Sequence, residues 1–228
     1  MVRRVYEGAT KSALFDAVLV ATDDERVRRT VQGFGGTVVM TRTDHASGTD
    51  RVAEVARTLD ADLVVNIQGD LPFVGRSLLE PAVTPLVADE SIPMGTLAVP
   101  ISDAGRWLDP NVVKVVTDEA GFALYFSRAP IPARRSDVAN GEDTGYGLYG
   151  WQHVGLYVYR REFLLRFATW STTPLERLER LEQLRVLEHG ERLHVARTSE
   201  RVIEVDTEED LKRARDFWRA QGTSGEVS

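Results

Sequence analysis

The sequence contains no cysteine, and none of its apolar runs approaches the roughly 20 residues that a helix needs to cross a bilayer. Without cysteine there is neither a disulfide framework nor thiolate chemistry. The net charge of −7 argues against general nucleic-acid binding, which relies on clustered lysine and arginine. No apolar stretch typical of a secretory signal opens the chain. We therefore expect a cytoplasmic protein that neither inserts into membranes nor binds nucleic acid.

A Walker A phosphate-binding loop is also missing, so a P-loop enzyme has no motif support. The chain has 228 residues, of which 43% are hydrophobic, and this is enough for one good core. We predict a single domain over residues 1–219, followed by a disordered tail at 220–228.

The first half of the chain alternates helices with apolar strands. Near-continuous apolar strands separated by helices predict a parallel sheet that is covered on both faces. The predicted helices are 2–13, 24–36 and 50–59, and the predicted strands are 17–23, 37–42, 61–70 and 95–100.

The second half has a different character. Residues 111–128 predict two strands joined in a hairpin, and residues 128–147, rich in proline, glycine and charge, predict a loop. The other expected elements are strands at 153–160, 192–197 and 202–205 and helices at 174–189 and 207–219. The predicted fold class is α/β, with a mostly parallel mixed sheet, helices on both faces and a small antiparallel subregion.

The stretch LVVNIQGDLPFV at 63–74 reads as an apolar strand that ends in Gln68, Gly69 and Asp70. A carboxylate at a strand end is rigidly mounted and can hold a cation. Gly-Asp-x-Pro also makes an ordinary turn, so this stretch alone leaves both interpretations open.

The segment TRTDHASGTDR at 41–51 places several polar residues just before a predicted helix: Arg42, His45, Ser47, Gly48 and Thr49. A helix N-terminus with exposed amides favours anions, and ligands of doubly wound sheets gather beyond the carboxyl ends of the strands. The alternative is that Ser47 or Thr49 caps the helix, and a lone histidine such as His45 is more often a solvated loop residue.

Asp206 follows a predicted strand, and with Asp70 it offers two carboxylates that could hold Mg²⁺ together with substrate phosphates. Capping of the next helix is the other interpretation of Asp206. In the 174–190 segment leucine recurs at every third residue, which predicts an amphipathic helix for core or dimer packing. Glu182 and Gln183 in that helix could instead face a ligand.

The order of several motifs resembles the 3-deoxy-manno-octulosonate (Kdo) cytidylyltransferase family over about residues 2–215. The segments that carry the resemblance are VATDDERV, GGTVVMTRTDHASGTDRVAEV, VVNIQGDLP, MGTLAVPI, NVVKVV, ALYFSRAPIP, HVGLYVYRREF, LERLEQLRVLEHGERLHV and VDTEEDL. The family's fold is Rossmann-like, of the nucleotide-diphospho-sugar transferase kind. The resemblance implies a homodimer that joins CTP and Kdo to give CMP-Kdo and pyrophosphate, for lipopolysaccharide synthesis.

The resemblance also implies roles for individual residues. Asp70 and Asp206 match the family's metal-binding, catalytic aspartates, with Mg²⁺ as the cofactor. The implied nucleotide-binding residues are Arg42, His45, Ser47, Gly48, Gln68 and Gly69. The implied sugar-binding residues are Arg128, His153, Tyr157, Glu182 and Gln183.

The resemblance departs from the family pattern at the start of the chain. The family opens with a strand and an Arg- and Lys-bearing loop around the triphosphate, whereas this sequence begins in the first helix. We expect a wrongly chosen start codon, with a shortened gene product or an inactive chain as the alternatives, and we expect the chain as given to bind CTP poorly. Two other functions stay open: a cytidylyltransferase for another acidic sugar, such as a sialic acid, and a non-catalytic nucleotide- or sugar-binding remnant.

Overall fold

The computed structural model describes residues 1–133, 149–200, 202–205 and 207–222. The chain divides into two compact units. The first unit contains Met1–Thr41, Ile67–Leu79 and Arg201–Ser228, and the second contains Arg42–Asn66 and Glu80–Glu200. None of the helices in the described ranges is long and apolar enough to span a bilayer.

The first unit combines a two-stranded sheet with helices. Its elements are α1 (Val2–Lys11), β1 (Val20–Thr22), α2 (Glu25–Gly33), β2 (Val38–Met40) and α9 (Glu208–Gly222). β1 and β2 are parallel, with Val20 opposite Val38. The Asp24 carboxylate accepts the Arg26 amide at 2.7 Å and so caps α2. The predicted parallel pairing of these two strands is confirmed.

The second unit is built on a six-stranded mixed sheet in the order β6-β5-β7-β4-β8, with β3 also paired to β7. The strands are β3 (Leu63–Ile67), β4 (Met94–Ile101), β5 (Lys114–Thr117), β6 (Ala123–Ser127), β7 (Gly150–Arg160) and β8 (Leu193–Arg197). The helices are α3 (Gly48–Ala56), α5 (Ala104–Leu108), α6 (Arg161–Phe167), α7 (Pro174–Glu179) and α8 (Leu184–Glu188). Fully buried Phe126, Tyr159 and Leu164 are among the residues of its core.

The α/β class and the mixed sheet agree with the sequence prediction, but antiparallel pairing has a larger share than expected. β4 and β8 are parallel, whereas β7 runs antiparallel to both β4 and β5. The reason is β7, an 11-residue strand that pairs with three others and reverses the chain direction inside the sheet. The predicted β5–β6 hairpin is confirmed, with Lys114 opposite Ser127.

Two predicted elements of the second half are wrong. The helix expected at 174–189 is two short helices, because Arg180 adopts the left-handed conformation at φ 54° and ends α7. Residues 202–205 form no strand, although the Val205 amide donates to the Asp70 carbonyl at 3.0 Å. The α9 helix continues to Gly222, past the predicted boundary at 219, and residues 223–228 of the predicted tail lie outside the described residues.

The sequence analysis also missed three helices, α4 (Arg76–Ala88), α5 and α6. α4 contains Pro81 and Pro85, which remove two backbone donors and disguise the helical pattern. The other two have only 5 and 7 residues, too short for a clear helical period. The predicted loop at 128–147 falls largely on residues 134–148, outside the described residues.

One glycine of the first unit is required by close packing. A Cβ atom built on Gly8, inside α1, would lie 2.2 Å from the Val74 carbonyl oxygen. A residue with a side chain cannot replace Gly8, because the opposing Val74 carbonyl oxygen belongs to the main chain and cannot rotate away.

We expect Gly8→Ala to lower the free energy of unfolding by about 1–3 kcal/mol, as overpacking usually does. The matched control is Gly33→Ala at the end of α2, where an added Cβ has no atom within 4 Å and a change of at most about 1 kcal/mol is expected. Urea unfolding of both variants measures the difference. Equal stability of the two variants would contradict the close contact at Gly8.

Candidate functional site

Some of the polar residues in the 41–51 segment form the N-terminal cap of α3. Ser47 and Asp50 form a capping box: the Asp50 amide donates to the Ser47 hydroxyl at 3.1 Å, and the Ser47 amide donates to the Asp50 carboxylate at 3.2 Å. The capping interpretation therefore holds for Ser47. The Thr49 hydroxyl is not part of this box and donates instead to Glu182 Oε2.

Glu54, in the last turn of α3, holds the loop that precedes the helix. Its Oε2 is hydrogen-bonded to His45 Nε2, and it accepts the Arg42 amide at 3.4 Å. The Arg42 Nε lies 3.5 Å from both Asp44 and Glu54 carboxylate oxygens. The His45 side chain is only 4% exposed, so His45 is not a solvated loop residue. The hydrogen bond with His45 is the main cause that lowers the pKa of Glu54.

An irregularity in the pairing of β4 and β7 shapes the middle of the second unit. Thr96 lies opposite Tyr157 while the next residue, Leu97, lies opposite Val154, so β7 carries two additional residues at this point. The fully buried Thr96 hydroxyl lies within the irregularity, 2.7 Å from the Leu156 carbonyl and 3.1 Å from that of Val154. Bulges of this kind redirect neighbouring side chains.

The protonation of His153 follows from its contact with Thr96. His153 Nε2 lies 3.0 Å from the Thr96 hydroxyl oxygen. A hydroxyl has one proton, and the close Leu156 carbonyl, which can only accept, takes it. Nε2 must then carry a proton and donate it. Burial lowers the pKa of His153 to about 3, so the ring is neutral and its Nδ1 is an acceptor.

Tyr157, Glu182 and Gln183 form a polar group beside His153. The Tyr157 and His153 rings are 5.4 Å apart, and the Tyr157 hydroxyl donates to Gln183 Oε1 at 3.1 Å. Among the described residues, the buried atoms Glu182 Oε1 and Gln183 Nε2 have no hydrogen-bond partner. The structure thus brings together four of the five predicted sugar-binding residues, with one acceptor and one donor unsatisfied. Such groups are costly unless a ligand or water completes them.

Arg128, the fifth predicted sugar-binding residue, has different neighbours. Its Nε donates to the Glu179 carbonyl at 2.8 Å, and its Nη1 donates to the Pro110 carbonyl at 3.0 Å. Its own carbonyl accepts the ammonium of Lys114 at 2.6 Å. Lys114 is fully buried and also reaches the carbonyls of Asp109 and Val112, at 2.9 and 2.6 Å. These hydrogen bonds hold the Arg128 main chain in place and tie its side chain to the main chain at Pro110 and Glu179.

Gln68, Gly69 and Asp70 belong to the first unit. β3 ends at Ile67, and the three residues form the turn that the alternative interpretation predicted, with the Leu71 amide donating to the Gln68 carbonyl at 3.3 Å. Gln68 and Gly69 are exposed and Asp70 is half-buried. Asp206 lies outside the described residues. Within the described residues, no three histidine, aspartate or glutamate side chains cluster as a complete metal site.

The family model for cytidylyltransferases matches residues 1–193. The chain belongs to the cytidylyltransferase family. Relatives named 3-deoxy-manno-octulosonate cytidylyltransferase from Syntrophotalea carbinolica and Geobacter metallireducens are each 53% identical over 216 residues. These alignments cover 93% of this chain and 86% and 85% of the respective relatives.

A solved structure of CMP:2-keto-3-deoxy-manno-octonic acid synthetase complexed with CTP is also similar to this cytidylyltransferase. The two share 36% sequence identity with a TM-score of 0.88, over 96% of this chain and 88% of the other. At this identity and score the likeness extends to the whole arrangement of strands and helices described above.

Three residues beside the polar group of this cytidylyltransferase were missed by the sequence analysis: Thr49 as a partner of Glu182, Tyr159 and Arg185. The Tyr159 ring lies 6.0 Å from the Tyr157 ring, and burial raises the pKa of Tyr159 well above its usual value. Arg185 pairs with Glu176 at 2.7 and 2.5 Å and lies 3.8 Å from Glu182 Oε1. Burial raises the pKa of Glu182, and the hydrogen bond from Thr49 opposes this rise. No sequence motif marks the Thr49–Glu182 contact, because the two residues are 133 positions apart.

We expect His153 to make the cytidylyltransferase less stable in mild acid. The unfolded chain takes up a proton near pH 6.5, but the buried ring does so only near pH 3, so stability falls as the pH decreases between these values. The loss between pH 7 and pH 5 is about 2 kcal/mol. Urea unfolding at both pH values should show a smaller difference in His153→Gln than in the original chain. The raised pKa of Glu182 acts in the opposite direction in both proteins, so an unchanged difference in the variant would contradict the buried neutral histidine.

Proposed function

We propose that this cytidylyltransferase transfers the cytidylyl group of CTP to Kdo, giving CMP-Kdo and pyrophosphate. The observation that carries the proposal is the polar group of the second unit, where Glu182 Oε1 and Gln183 Nε2 are buried and lack partners among the described residues. Unsatisfied polar atoms in a buried group favour a polar ligand over a structural role. The names of the 53%-identical relatives support Kdo as that ligand.

The chemistry of the polar group suits a polyhydroxy acid. Glu182 Oε1 accepts a hydrogen bond from a sugar hydroxyl, and Gln183 Nε2 donates one to a hydroxyl or carboxylate oxygen. His153 contributes Nδ1 as a further acceptor, since its Nε2 proton is committed to Thr96. We assign His153, Tyr157, Glu182 and Gln183 to the sugar. We keep Arg128 among the proposed sugar-binding residues because of its place in the sequence, although its guanidinium already donates to two carbonyls.

We assign the nucleotide to the 42–48 loop and to the turn at Gln68 and Gly69. Arg42 supplies a positive charge, and the capped start of α3 supplies the amides that suit a phosphate. Glu54 fixes both His45 and the Arg42 main chain, so the loop is preorganised for a ligand. The exposed Gln68 and Gly69 present polar backbone and amide groups on a short turn.

We propose that Asp70 and Asp206 hold Mg²⁺. The half-buried Asp70 carboxylate on its turn would supply oxygen ligands, and the Asp70 carbonyl accepts the amide of Val205, the residue before Asp206. Carboxylates with substrate phosphates are the ligand set that Mg²⁺ prefers. When bound, the ion would neutralise charge on the triphosphate. The two aspartates would orient that end of the nucleotide, but neither replaces the cation, since each repels phosphate.

The reaction is a displacement at phosphorus. The anomeric hydroxyl of Kdo attacks the α-phosphate of CTP, a new P–O bond forms, and the bond to the β-phosphate breaks as pyrophosphate leaves. The contribution of this chain is positioning and electrostatics, as in phosphoryl transfer generally. The sugar residues hold the nucleophile, and the nucleotide residues hold the α-phosphate for attack.

Assembly and location are parts of the same proposal. We propose a homodimer, for which the 80%-exposed Leu178 on α7 and the 61%-exposed Leu124 on the edge strand β6 supply apolar surface. We propose a cytoplasmic location, because the reaction needs a compartment that supplies CTP.

The function itself is tested with CTP, Mg²⁺ and either Kdo or N-acetylneuraminic acid. Pyrophosphate release and the mass of the product identify the sugar that is activated. We expect CMP-Kdo from Kdo and little product from the sialic acid. Turnover of the sialic acid alone would reassign the substrate, and no turnover of either sugar would overturn the proposed activity.

We expect Asp70→Asn to abolish CMP-Kdo formation while the chain stays folded, because one ligand charge of a hard-cation site is lost. Asp16→Asn is the matched control, an exposed aspartate in the same unit. Turnover is measured with circular dichroism as the check on folding. Full activity of Asp70→Asn would remove Asp70 from the metal site.

We expect Tyr157→Phe to raise the KM for Kdo about threefold to tenfold, with little effect on the KM for CTP, since one hydrogen bond near the sugar is lost. Tyr6→Phe is the control, because that hydroxyl only accepts the Thr37 amide within the first unit. Initial rates over both substrate concentrations give the two KM values. Equal changes in both would argue against the separation into sugar and nucleotide residues.

A further inference from the structure

A single hydrogen bond joins two segments that are 133 residues apart in the sequence. Thr49, the second residue of α3, donates its hydroxyl proton to Glu182 Oε2. Thr49 is buried and follows directly on Ser47 and Gly48 of the loop. Glu182 directly precedes Gln183. The bond therefore connects the segment assigned to the nucleotide with the segment assigned to the sugar.

Among the described residues, one oxygen of the Glu182 carboxylate accepts a hydrogen bond and the other has no hydrogen-bond partner. Its Oε2 accepts the hydrogen bond from the Thr49 hydroxyl. Its Oε1 lies 3.8 Å from the Arg185 guanidinium, which Glu176 holds in place with two short bonds. One oxygen thus fixes the carboxylate to α3, and the other remains for a ligand.

The Thr49 hydroxyl is itself fixed in direction. Its one proton goes to Glu182, so the bond runs from the start of α3 to the carboxylate. A change in the position of the α3 start alters the position of the carboxylate through this bond.

We propose that the Thr49–Glu182 bond couples the binding of the two substrates. This inference rests on the proposed function, which assigns CTP to the loop and Kdo to Glu182. A nucleotide bound to the preorganised loop restrains the start of α3 further, and the Thr49 bond passes this restraint to Glu182, whose Oε1 accepts a sugar hydroxyl. Each substrate then binds more tightly when the other is present, and by thermodynamic linkage the factor is the same in both directions. Thr49 is a positioning residue in this scheme.

The test measures the coupling factor directly. Isothermal titration gives the Kd of the α,β-methylene analogue of CTP with Mg²⁺, alone and with saturating Kdo, and this analogue cannot release pyrophosphate. The ratio of the two Kd values is the coupling factor. In the original chain we expect a factor of about 5 or more.

Substitutions at Thr49, with a control at Thr58, isolate the hydroxyl. Thr49→Val removes it and keeps the shape, and we expect the coupling factor to fall at least about threefold, towards 1. Thr49→Ser restores the hydroxyl and should restore the factor. Thr58→Val is the matched control, because among the described residues the Thr58 hydroxyl bonds only the Val55 carbonyl, close by in the sequence. If Thr49→Val fails to fold, Thr49→Ala removes the same hydroxyl with less crowding.

The outcomes separate this inference from the proposed function. If the original chain makes CMP-Kdo but Thr49→Val retains the full coupling factor, the inference is overturned and the activity stands. A change in both Kd values at constant ratio also overturns the inference, because a merely structural role would weaken binding without uncoupling it. If the original chain neither binds the analogue nor turns over Kdo, the proposed function fails and the coupling fails with it.

Discussion

The irregular pairing of β4 and β7 around the Thr96 hydroxyl is the constraint on which the second unit depends. β7 contacts three strands of the sheet, and without its two additional residues Tyr157 would not lie opposite Thr96. The hydroxyl donates to the Leu156 carbonyl, lies 3.1 Å from the Val154 carbonyl, and fixes the proton of His153. One buried hydroxyl thus determines both the strand geometry and the chemistry of the neighbouring ring.

The polar group around Glu182 is costly to build in a protein interior. Glu176 and Arg185 are both largely buried, and such a pair gains little net stability over apolar residues of the same size. The pair instead holds the guanidinium close to Glu182, whose pKa burial raises. Placing a carboxylate with one unsatisfied oxygen there is favourable only when a polar ligand completes it. Such an arrangement is typical of a binding site.

In the second unit, charged side chains repeatedly form hydrogen bonds to main-chain atoms. The buried Lys114 ammonium donates to three carbonyls, and the Glu179 carboxylate accepts the Ser127 hydroxyl and the Arg128 amide at the end of β6. Charged groups that bind main-chain atoms fix loops more rigidly than side-chain pairs do, because the backbone cannot choose another rotamer. In the same way, the Glu54 carboxylate accepts the Arg42 amide and holds that residue in place.

The sequence alone determined the α/β class and the β5–β6 hairpin, because apolar periodicity and turn residues are local signals, and it offered a helix cap at Ser47 or Thr49 as one of two interpretations. It could not determine the break at Arg180, the helix containing Pro81 and Pro85, or the antiparallel course of β7. The break and the helix go against the local preferences of their residues, and the direction of β7 depends on the strands that it pairs with. Motif order indicated residues such as His153 and Glu182, but not the partners that orient them. The Thr49–Glu182 and Thr96–His153 contacts arise between residues 133 and 57 positions apart, and only the folded sheet brings such groups within the reach of a hydrogen bond.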